Sequence, residues 1–196
     1  MQGRILPGVA LVAGLGNPGP RYEKTRHNAG FWFLDGLAET CGAVLREESR
    51  FHGAFGQCCL DGRNLRLLRP STFMNRSGRS VAAVVRYLDL PVEALLVAHD
   101  DLDLPPGIVR LKRGGGHGGH NGLRDIIAHL GTKDFLRLRI GIGHPGHRDA
   151  VVDHVLTRPR PEEREAIEDG IRRALEVMPL VVEGRLEAAM NLLHGG

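Results

Sequence analysis

Short apolar runs alternate along this chain with segments in which apolar residues recur at helical spacing. Val9–Leu15 and Leu95–Ala98 are short, predominantly apolar and followed by polar or glycine-rich residues, a pattern typical of buried strands. Apolar residues recur at helical spacing over residues 31–41, and Gly42 is placed to end a helix there. A second amphipathic pattern covers Ser77–Leu88. The first part of the chain therefore predicts strands and helices in alternation.

The second half of the chain continues this alternation. Strand-like segments at Ile108–Leu111 and Phe135–Gly143 flank a helical pattern at Leu123–Leu130. Pro161 then begins a helical tail. Because proline lacks an amide hydrogen, we expect Pro179 to end this first helix and to start a second one that runs almost to the C-terminus.

A tight hairpin is predicted between His52–Leu60 and Asn64–Leu68. The Asp61-Gly62 pair between them tolerates positive φ, which two-residue hairpin turns require. Strands that alternate with helices favour an α/β fold, and the hairpin adds antiparallel strands to it. We therefore predict a single domain over residues 1–196, with a mixed, mostly parallel twisted sheet flanked by helices. Functional residues in such sheets collect at the carboxyl ends of the strands.

Composition limits the function only loosely. The chain has 196 residues, 42% of them hydrophobic, which suffices for one substantial core. Lys and Arg number 26 against 23 acidic residues, an excess that fits a local anionic contact better than extensive coating of nucleic acid. Val9–Leu15 is too short to span a membrane, so we expect a soluble protein with no membrane partner. Cys41, Cys58 and Cys59 indicate neither a disulfide framework nor a CxxC site, so we expect a reducing, cytoplasmic location.

The segment Lys112–Gly122, KRGGGHGGHNG, is the most distinctive stretch of the chain. Glycine loses more conformational freedom on folding than any other residue, so such a dense run is either mobile or held for contact with a ligand. Lys112 and Arg113 indicate that the ligand is anionic. No Gly-Lys-Ser/Thr closes the segment, which argues against a Walker loop and nucleoside triphosphate hydrolysis.

Gly14–Gly19, GLGNPG, matches the GxGxxG pattern of dinucleotide-binding folds. In that motif the glycines open a helix whose N–H groups bind the pyrophosphate. Here Pro18 and Pro20 prolong a loop instead. A nicotinamide-dependent oxidoreductase is therefore a weak alternative.

Histidines and acidic residues raise the alternative of a metal site. The candidates are the pairs His117/His120 and His144/His147 and the acids Asp100, Asp101 and Asp103. An HxxH pair on a glycine-rich loop does not place two imidazoles on one rigid face, and neither HExxH nor a cysteine set accompanies it. We therefore expect no metal and no cofactor, with the loop histidines hydrogen-bonded to their surroundings.

Four loop segments together offer an imidazole, carboxamides and a carboxylate. They cover residues 16–28, 73–75, 99–101 and 114–121. Ester hydrolysis without a strong nucleophile needs a base that activates water, a group that orients the base, and donors for the developing oxyanion. A Ser-His-Asp enzyme is less favoured because the chain has no GxSxG elbow. The loops therefore indicate hydrolysis by activated water.

At these residues the chain resembles the bacterial peptidyl-tRNA hydrolase family, in blocks that follow one another in one order over nearly the whole sequence. The blocks are LVAGLGNPGPRYEKTRHNAG at Leu11–Gly30, RPSTFMNRSG at Arg69–Gly78, HDDLDLPPG at His99–Gly107, GGGHGGHNGLRDI at Gly114–Ile126 and RLRIGIGHPG at Arg137–Gly146. The resemblance implies a cofactor-free, monomeric enzyme that cleaves the ester between a peptide and the terminal ribose of tRNA. Such an enzyme recycles tRNA from abandoned translation.

The resemblance also implies catalytic roles at matching positions. His27 would be the general base, and Asp100 would orient its ring and favour its basic form. Asn17 would contact the peptide and help to tell a blocked amino group from a free one. Asn75 and Asn121 would bind substrate carbonyls or water and stabilise the tetrahedral intermediate. Local sequence alone favours the ordinary roles instead, namely a surface loop histidine, a turn asparagine and helix-capping asparagines.

Substrate-binding positions follow from the same resemblance. Tyr22, Phe73 and Met74 would line the channel for the peptide and the terminal adenosine, although core packing is their ordinary alternative. Lys112 and Arg139 would clamp a tRNA phosphate, which positions the substrate without reading its sequence.

Two further features leave alternatives open. Arg110 and Arg113 extend the basic field around the phosphate clamp, or belong to a solvated charged face. A catalytically inactive RNA-binding relative of the same fold is the main alternative to an enzyme, since a fold alone does not guarantee activity. The presence of His27 and Asp100 favours the enzyme.

Overall fold

The computed structural model describes residues 6–195 and is built around one seven-stranded sheet. Its strands are β1 (Leu11–Gly14), β2 (Arg46–Glu48), β3 (Gly53–Leu60), β4 (Arg63–Pro70), β5 (Leu95–Asp101), β6 (Val109–Arg113) and β7 (Leu136–Gly141). They lie in the order β2-β3-β4-β1-β5-β7-β6. The central strands β4, β1, β5 and β7 are parallel, whereas β2, β3 and β6 pair antiparallel at the edges. The predicted mixed sheet with a parallel centre is confirmed.

Helices cover both faces of this sheet. They are α1 (Ala29–Cys41), α2 (Ser77–Tyr87), α3 (Asn121–Leu130), α4 (Val151–Val155), α5 (Pro161–Glu183) and α6 (Leu186–His194). Alternate residues of β1 contribute to two separate cores: Val12 packs with residues of α1, α5 and α6, and Leu11 and Ala13 pack with those of α2 and α3. Within residues 6–195, no helix has both the length and the apolar character needed to cross a membrane.

Glycines at turns and helix ends behave as predicted. Asp61 and Gly62 both have positive φ, 49° and 76°, in the turn between β3 and β4. Gly42 ends α1 and Gly131 ends α3, each in the left-handed conformation. These local predictions succeed because the backbone conformation itself selects the residue type.

The predicted helix break at Pro179 is wrong. α5 continues through Pro179 to Glu183, and the last helix, α6, starts only after Gly184, which has a φ of 86°. The residues around the proline, Met178 and Val181, are buried in the core beside α1. This burial outweighs the single backbone hydrogen bond that proline removes.

Two short elements were not predicted. β2 contains only charged residues, Arg46 to Glu48, and α4 has five residues without a side-chain cap. Neither segment carries a periodic apolar pattern, so tertiary contacts rather than local sequence determine them.

The cysteines also differ from expectation, because a disulfide joins Cys41 at the end of α1 to Cys58 in β3. Their Cα atoms are 5.9 Å apart, within the usual range for a disulfide. Neighbouring residues of a strand point to opposite faces, so Cys58 faces α1 whereas Cys59 is exposed and free. Cysteine usage therefore no longer supports the expectation of a reducing compartment.

Candidate active site

The carboxyl ends of the central strands surround a cavity of about 870 Å³. The loops after β1 and β4 and the end of β5 deliver Asn17, His27, Asn75 and Asp100 to its wall. This is the edge at which parallel α/β sheets bring residues from separate strands together. The sequence-predicted catalytic residues, including Asn121 at the start of α3, thus share one cavity.

His27 and Asp100 form the central pair of this cavity. The His27 Nδ1 atom lies 2.8 Å from Asp100 Oδ2, and the Asp100 side chain is 2% exposed. Burial disfavours a charged ring, but the charge and hydrogen bond of Asp100 outweigh it and raise the pKa of His27 above its ordinary value. Burial would likewise raise the pKa of Asp100, yet the histidines beside it hold that pKa well below its usual range. Asp100 is therefore ionised and accepts the Nδ1 proton of His27.

His120 binds the second oxygen of the same carboxylate. Its Nε2 atom lies 2.8 Å from Asp100 Oδ1, while its Nδ1 atom accepts hydrogen bonds from the backbone amides of Gly122 and Leu123. An Nδ1 atom that accepts carries no proton, so the ring is neutral and its proton is on Nε2. His120 thus caps helix α3 and donates to Asp100.

This role of His120 differs from the prediction, which was a loop histidine or a member of a metal pair. Its position directly before α3 was the available signal, but histidine is not a common N-cap residue.

His27, Asp100 and His120 also have the residue types of a metal site, with ligand atoms within 4.8 Å of one another. However, the hydrogen-bond pattern assigns a proton to each ring nitrogen that faces Asp100. A metal ligand would need a free lone pair at these nitrogens. The geometry therefore fits a hydrogen-bonded group better than a metal centre.

His99 lies behind this group and is almost fully buried. Its Nδ1–H donates to the carbonyl of Asp100, and its ring packs edge-on against His120 with centroids 5.2 Å apart. Burial lowers the pKa of His99 to about 4. His99 is therefore neutral at physiological pH and adds no charge beside His27 and Asp100.

Asn17 has both a structural and a binding capacity. Its backbone exchanges two hydrogen bonds with the Asn28 side chain, and its Oδ1 atom accepts from the Met74 amide at 2.7 Å. Within residues 6–195, its Nδ2 group has no hydrogen-bond partner. The carboxamide is therefore fixed at one end and free to donate into the cavity at the other.

Asn75 and Asn121 are exposed residues of the cavity wall. Their capping alternative is not observed: Arg76 and His120 occupy the N-cap positions of α2 and α3, and neither asparagine side chain bonds to a helix end. Among the described residues, neither carboxamide has a hydrogen-bond partner. Both can therefore bind a substrate or a water molecule.

Of the three residues expected to line the channel, Phe73 and Met74 lie in the cavity wall. Phe73 lines the cavity with 57% of its surface exposed, and Met74 lines it while largely buried. Tyr22, which was expected to line the channel, is not part of the cavity wall. Instead its ring packs edge-on against Phe73, with centroids 6.3 Å apart. Tyr22 thus contacts Phe73 without lining the cavity itself.

Basic residues of strands β6 and β7 also line the cavity. Lys112 is exposed there, and Arg139 Nε lies 2.7 Å from Asp101 Oδ2. Arg113 cannot belong to this field, because it points to the opposite face and donates to the carbonyl of Glu93. Arg110 is on the same face as Lys112 but not in the cavity wall.

Arg137 explains how the glycine-rich segment is ordered. This buried guanidinium donates to the carbonyls of Gly115, Gly116 and Lys133. Gly115 has a φ of 101°, and a Cβ atom there would lie 3.0 Å from the Lys112 ammonium. The glycines thus allow backbone carbonyls to surround the Arg137 guanidinium. Because Gly115 has no Cβ atom, the Lys112 ammonium can also lie close to the loop.

Comparisons with known proteins agree with this geometry. The sequence model of the peptidyl-tRNA hydrolase family matches residues 11–196. The peptidyl-tRNA hydrolase of Halorhodospira halophila is 54% identical over 184 residues, covering 94% of this chain and 95% of that protein. That of Methylococcus capsulatus is 56% identical over 186 residues, covering 95% and 99%.

Solved structures show the same similarity in three dimensions. The crystal structure of peptidyl-tRNA hydrolase from Acinetobacter baumannii has a TM-score of 0.94 and 48% identity, and covers 97% of both chains. A crystal structure of a peptidyl-tRNA hydrolase with N-propanol has a TM-score of 0.93 at 48% identity and covers 94% of both chains. With sequence, fold and strand-end cavity in agreement, this chain belongs to the peptidyl-tRNA hydrolase family.

Proposed function

We propose that this protein hydrolyses the ester bond between the peptide, or N-blocked aminoacyl group, and the terminal ribose of tRNA. The observation that carries this proposal is the His27–Asp100 hydrogen bond at 2.8 Å inside the cavity. The bond occupies Nδ1 of His27 and therefore leaves Nε2 as the basic nitrogen. A neutral imidazole with a fixed tautomer is suited to take a proton from water.

The reaction follows from these groups. His27 Nε2 takes a proton from water as the water oxygen bonds to the ester carbonyl carbon. The tetrahedral intermediate then loses the ribose oxygen, which receives the proton from His27. Asp100 stabilises the transient imidazolium, and its own proton affinity is low because His120 donates to its other oxygen.

The carboxamides supply neutral hydrogen-bond donors and acceptors around the reacting carbonyl. The free Nδ2 group of Asn17 would bind a carbonyl of the peptide, which a free aminoacyl group lacks. Asn75 and Asn121 lie on the wall and have no side-chain hydrogen bond to any of residues 6–195, so they would bind the water and the developing oxyanion. Such donors stabilise negative charge without adding a titratable group.

The tRNA contacts that we propose lie on strands β6 and β7. Lys112 is exposed and can contact a phosphate as a point charge. Arg139 uses Nε for Asp101, so its terminal nitrogens remain for the same phosphate. Because one chain supplies every group named here, we further propose that a monomer acts in the cytoplasm, where translation provides the substrate.

The proposal is tested with N-acetylaminoacyl-tRNA and free aminoacyl-tRNA, incubated in parallel with a chelator present. We expect release of the blocked amino acid only, and a loss of about 10²–10⁴-fold in kcat for His27→Ala. A protein that binds tRNA but releases nothing would instead be the inactive RNA-binding relative. Release that the chelator abolishes would show that a metal takes part.

A further inference from the structure

Arg26, the residue before the general base, is buried although it is charged. Its side chain is 8% exposed, and its guanidinium lies between the turn Arg26–Asn28 and the region that follows β7. A buried charge is costly unless it is paired and hydrogen-bonded. The partners of Arg26 therefore indicate what the residue is for.

Those partners belong to the wall of the cavity. Arg26 Nη1 donates to the carbonyls of His154 and Thr157 at 3.0 and 3.3 Å, and the Arg26 amide donates to Thr157 as well. His154 belongs to the last turn of α4, and Thr157 follows two residues after the end of that helix. Arg26 Nη2 lies 3.2 Å from Glu163 Oε1, in the first turn of α5. Arginine suits this position because its planar fork serves several acceptors at once.

The segment tied down in this way, residues 144–157, supplies an apolar part of the cavity wall. Val152 and Leu156 line the cavity although they are 66% and 40% exposed. The side chain of His154 in turn contacts the chain just after β7, because its Nε2 atom lies 2.9 Å from the carbonyl of Gly143. The segment is thus anchored both to the sheet and, through Arg26, to the His27 turn.

We propose that Arg26 is a positioning residue that fixes the 144–157 segment against the turn carrying His27, so that the apolar wall and the general base engage one substrate together. The inference rests on the proposed function. Arg26 touches no reacting atom; it acts through the wall on one side and the backbone of His27 on the other. Arg26 therefore sets the distance between His27 and the wall formed by Val152 and Leu156, to which the substrate would bind.

Mutational coupling tests this inference. We would measure kcat/KM for Arg26→Gln, for the wall variant Val152→Ser/Leu156→Ser, and for their combination. We expect each alone to lose on the order of tenfold and the combination to lose little more than the larger single effect, because both break one linkage. The proposal would be overturned if the combined variant lost kcat/KM by the product of the two single losses. It would also be overturned if Arg26→Gln left kcat/KM unchanged.

A matched control separates positioning from general loss of stability. Arg164 is also a partly buried arginine, but the side-chain contacts that it makes among residues 6–195 are with the Trp32 ring and Glu168. When Arg164→Gln is combined with the wall variant, the fold-loss in kcat/KM should equal the product of the two single losses. Should Arg26→Gln not fold, Glu163→Gln removes one partner and leaves the guanidinium, and it should show a smaller loss with the same non-additivity.

Hydrogen exchange without substrate gives a readout that does not depend on activity. We expect faster amide exchange in residues 144–157 for Arg26→Gln than for the wild type, and no such change for Arg164→Gln. Unchanged exchange would overturn the anchoring role of Arg26. If the wild type failed to hydrolyse N-acetylaminoacyl-tRNA, the proposed function would fail, while exchange would still decide whether Arg26 anchors the wall.

Discussion

At the scale of single residues, the chemistry depends on which ring nitrogens carry protons. His27 donates from Nδ1 to Asp100, His120 donates from Nε2 to the same carboxylate, and His99 donates to the Asp100 carbonyl. One carboxylate thus orients the base while a second histidine holds the carboxylate. The sequence motifs predicted the pair of His27 and Asp100. The tautomer of His120, in contrast, follows only from its hydrogen bonds to the backbone amides of α3.

This arrangement predicts the pH dependence of the reaction. The pKa of His27 is raised, and only the neutral ring accepts a proton, so kcat/KM should fall as pH drops through a value above the ordinary histidine pKa. Asp100→Asn removes the charge that raises this pKa, so the inflection should move to lower pH while the maximum rate falls. A profile of kcat/KM between about pH 5 and 9 checks both shifts. An inflection that stays in place in Asp100→Asn would contradict the assigned pair.

The same pKa shifts have opposite consequences for stability. Because the pKa of His27 is raised by folding, its contribution to stability is complete below the unfolded pKa and is lost as pH rises through the folded pKa. Asp100 has a depressed pKa, so its contribution is present above its unfolded pKa and is lost as pH falls. Activity therefore requires the neutral form of His27, whereas the protonated form contributes more to the stability of the fold.

His120 combines two roles that a substitution can separate. His120→Asn keeps a side-chain oxygen for the α3 cap but cannot reach Asp100 as the imidazole does, so we expect kcat to fall on the order of tenfold at nearly unchanged stability. His120→Ala loses the cap as well and should cost about 1 kcal/mol of unfolding free energy in addition. Thermal unfolding and kinetics of both variants check this. Equal kcat in His120→Asn and the wild type would show that the contact with Asp100 is dispensable.

At the scale of elements, the first turn of α1 must approach two strands very closely. A Cβ atom on Gly30 would lie 2.6 Å from the Leu15 amide and closer still to the Ala98 carbonyl. Since His27 precedes this turn, the approach of α1 to β1 and β5 sets the distance between His27 and Asp100. Glycine is thus required by packing, and its role is visible only once the helix is placed on the sheet.

Gly30→Ala should therefore lower both stability and activity. We expect a loss of about 1–3 kcal/mol or more in unfolding free energy, because backbone atoms rather than flexible side-chain ends block the new methyl group. Denaturant unfolding together with kcat measures the two effects. Gly36→Ala in the same helix is the control: its Cβ would meet only the flexible end of Leu175, so it should be neutral or stabilising. Equal losses of stability and kcat in Gly30→Ala and Gly36→Ala would contradict the proposed role of Gly30.

Across the whole molecule, polar and basic groups come together in one cavity. The three asparagines and Phe73 line it together with Lys112 and Arg139, which under the proposed function would contact a tRNA phosphate. A net charge of only +3 cannot by itself hold a polyanion, so local placement of the cations matters more than their number. The basic residues of β6 and β7 meet this need because their antiparallel register puts Lys112 opposite Arg137 and Arg110 opposite Arg139.

Lys112→Ala should raise KM with little change in kcat and should flatten the salt dependence of kcat/KM. The reason is that one phosphate contact fewer releases about one counterion fewer. Kinetics at several salt concentrations measure the slope. Arg185→Ala removes the same charge from an exposed position outside the cavity wall and should leave the slope unchanged. If both variants behaved alike, the phosphate contact at Lys112 would be refuted.

Features that depend on neighbours along the chain could be predicted from the sequence. Apolar periodicity predicted the central strands and α1, α2 and α3, and the positive φ of Asp61 and Gly62 agrees with the predicted hairpin. The motif blocks predicted His27, Asp100 and the asparagines, which the structure brings to one cavity. These inferences hold because a turn, a helix end or a motif is selected by neighbours in the chain.

Features that depend on partners distant in sequence became visible only in the folded chain. Core burial carries α5 through Pro179, and packing of α1 on the sheet brings Cys41 to Cys58. Strand alternation separates Arg113 from Lys112, and the contacts of Arg26 and Arg137 join segments far apart in sequence. The physical reason is that a buried charge or a close backbone approach is defined by what lies across the interface, which no local pattern records.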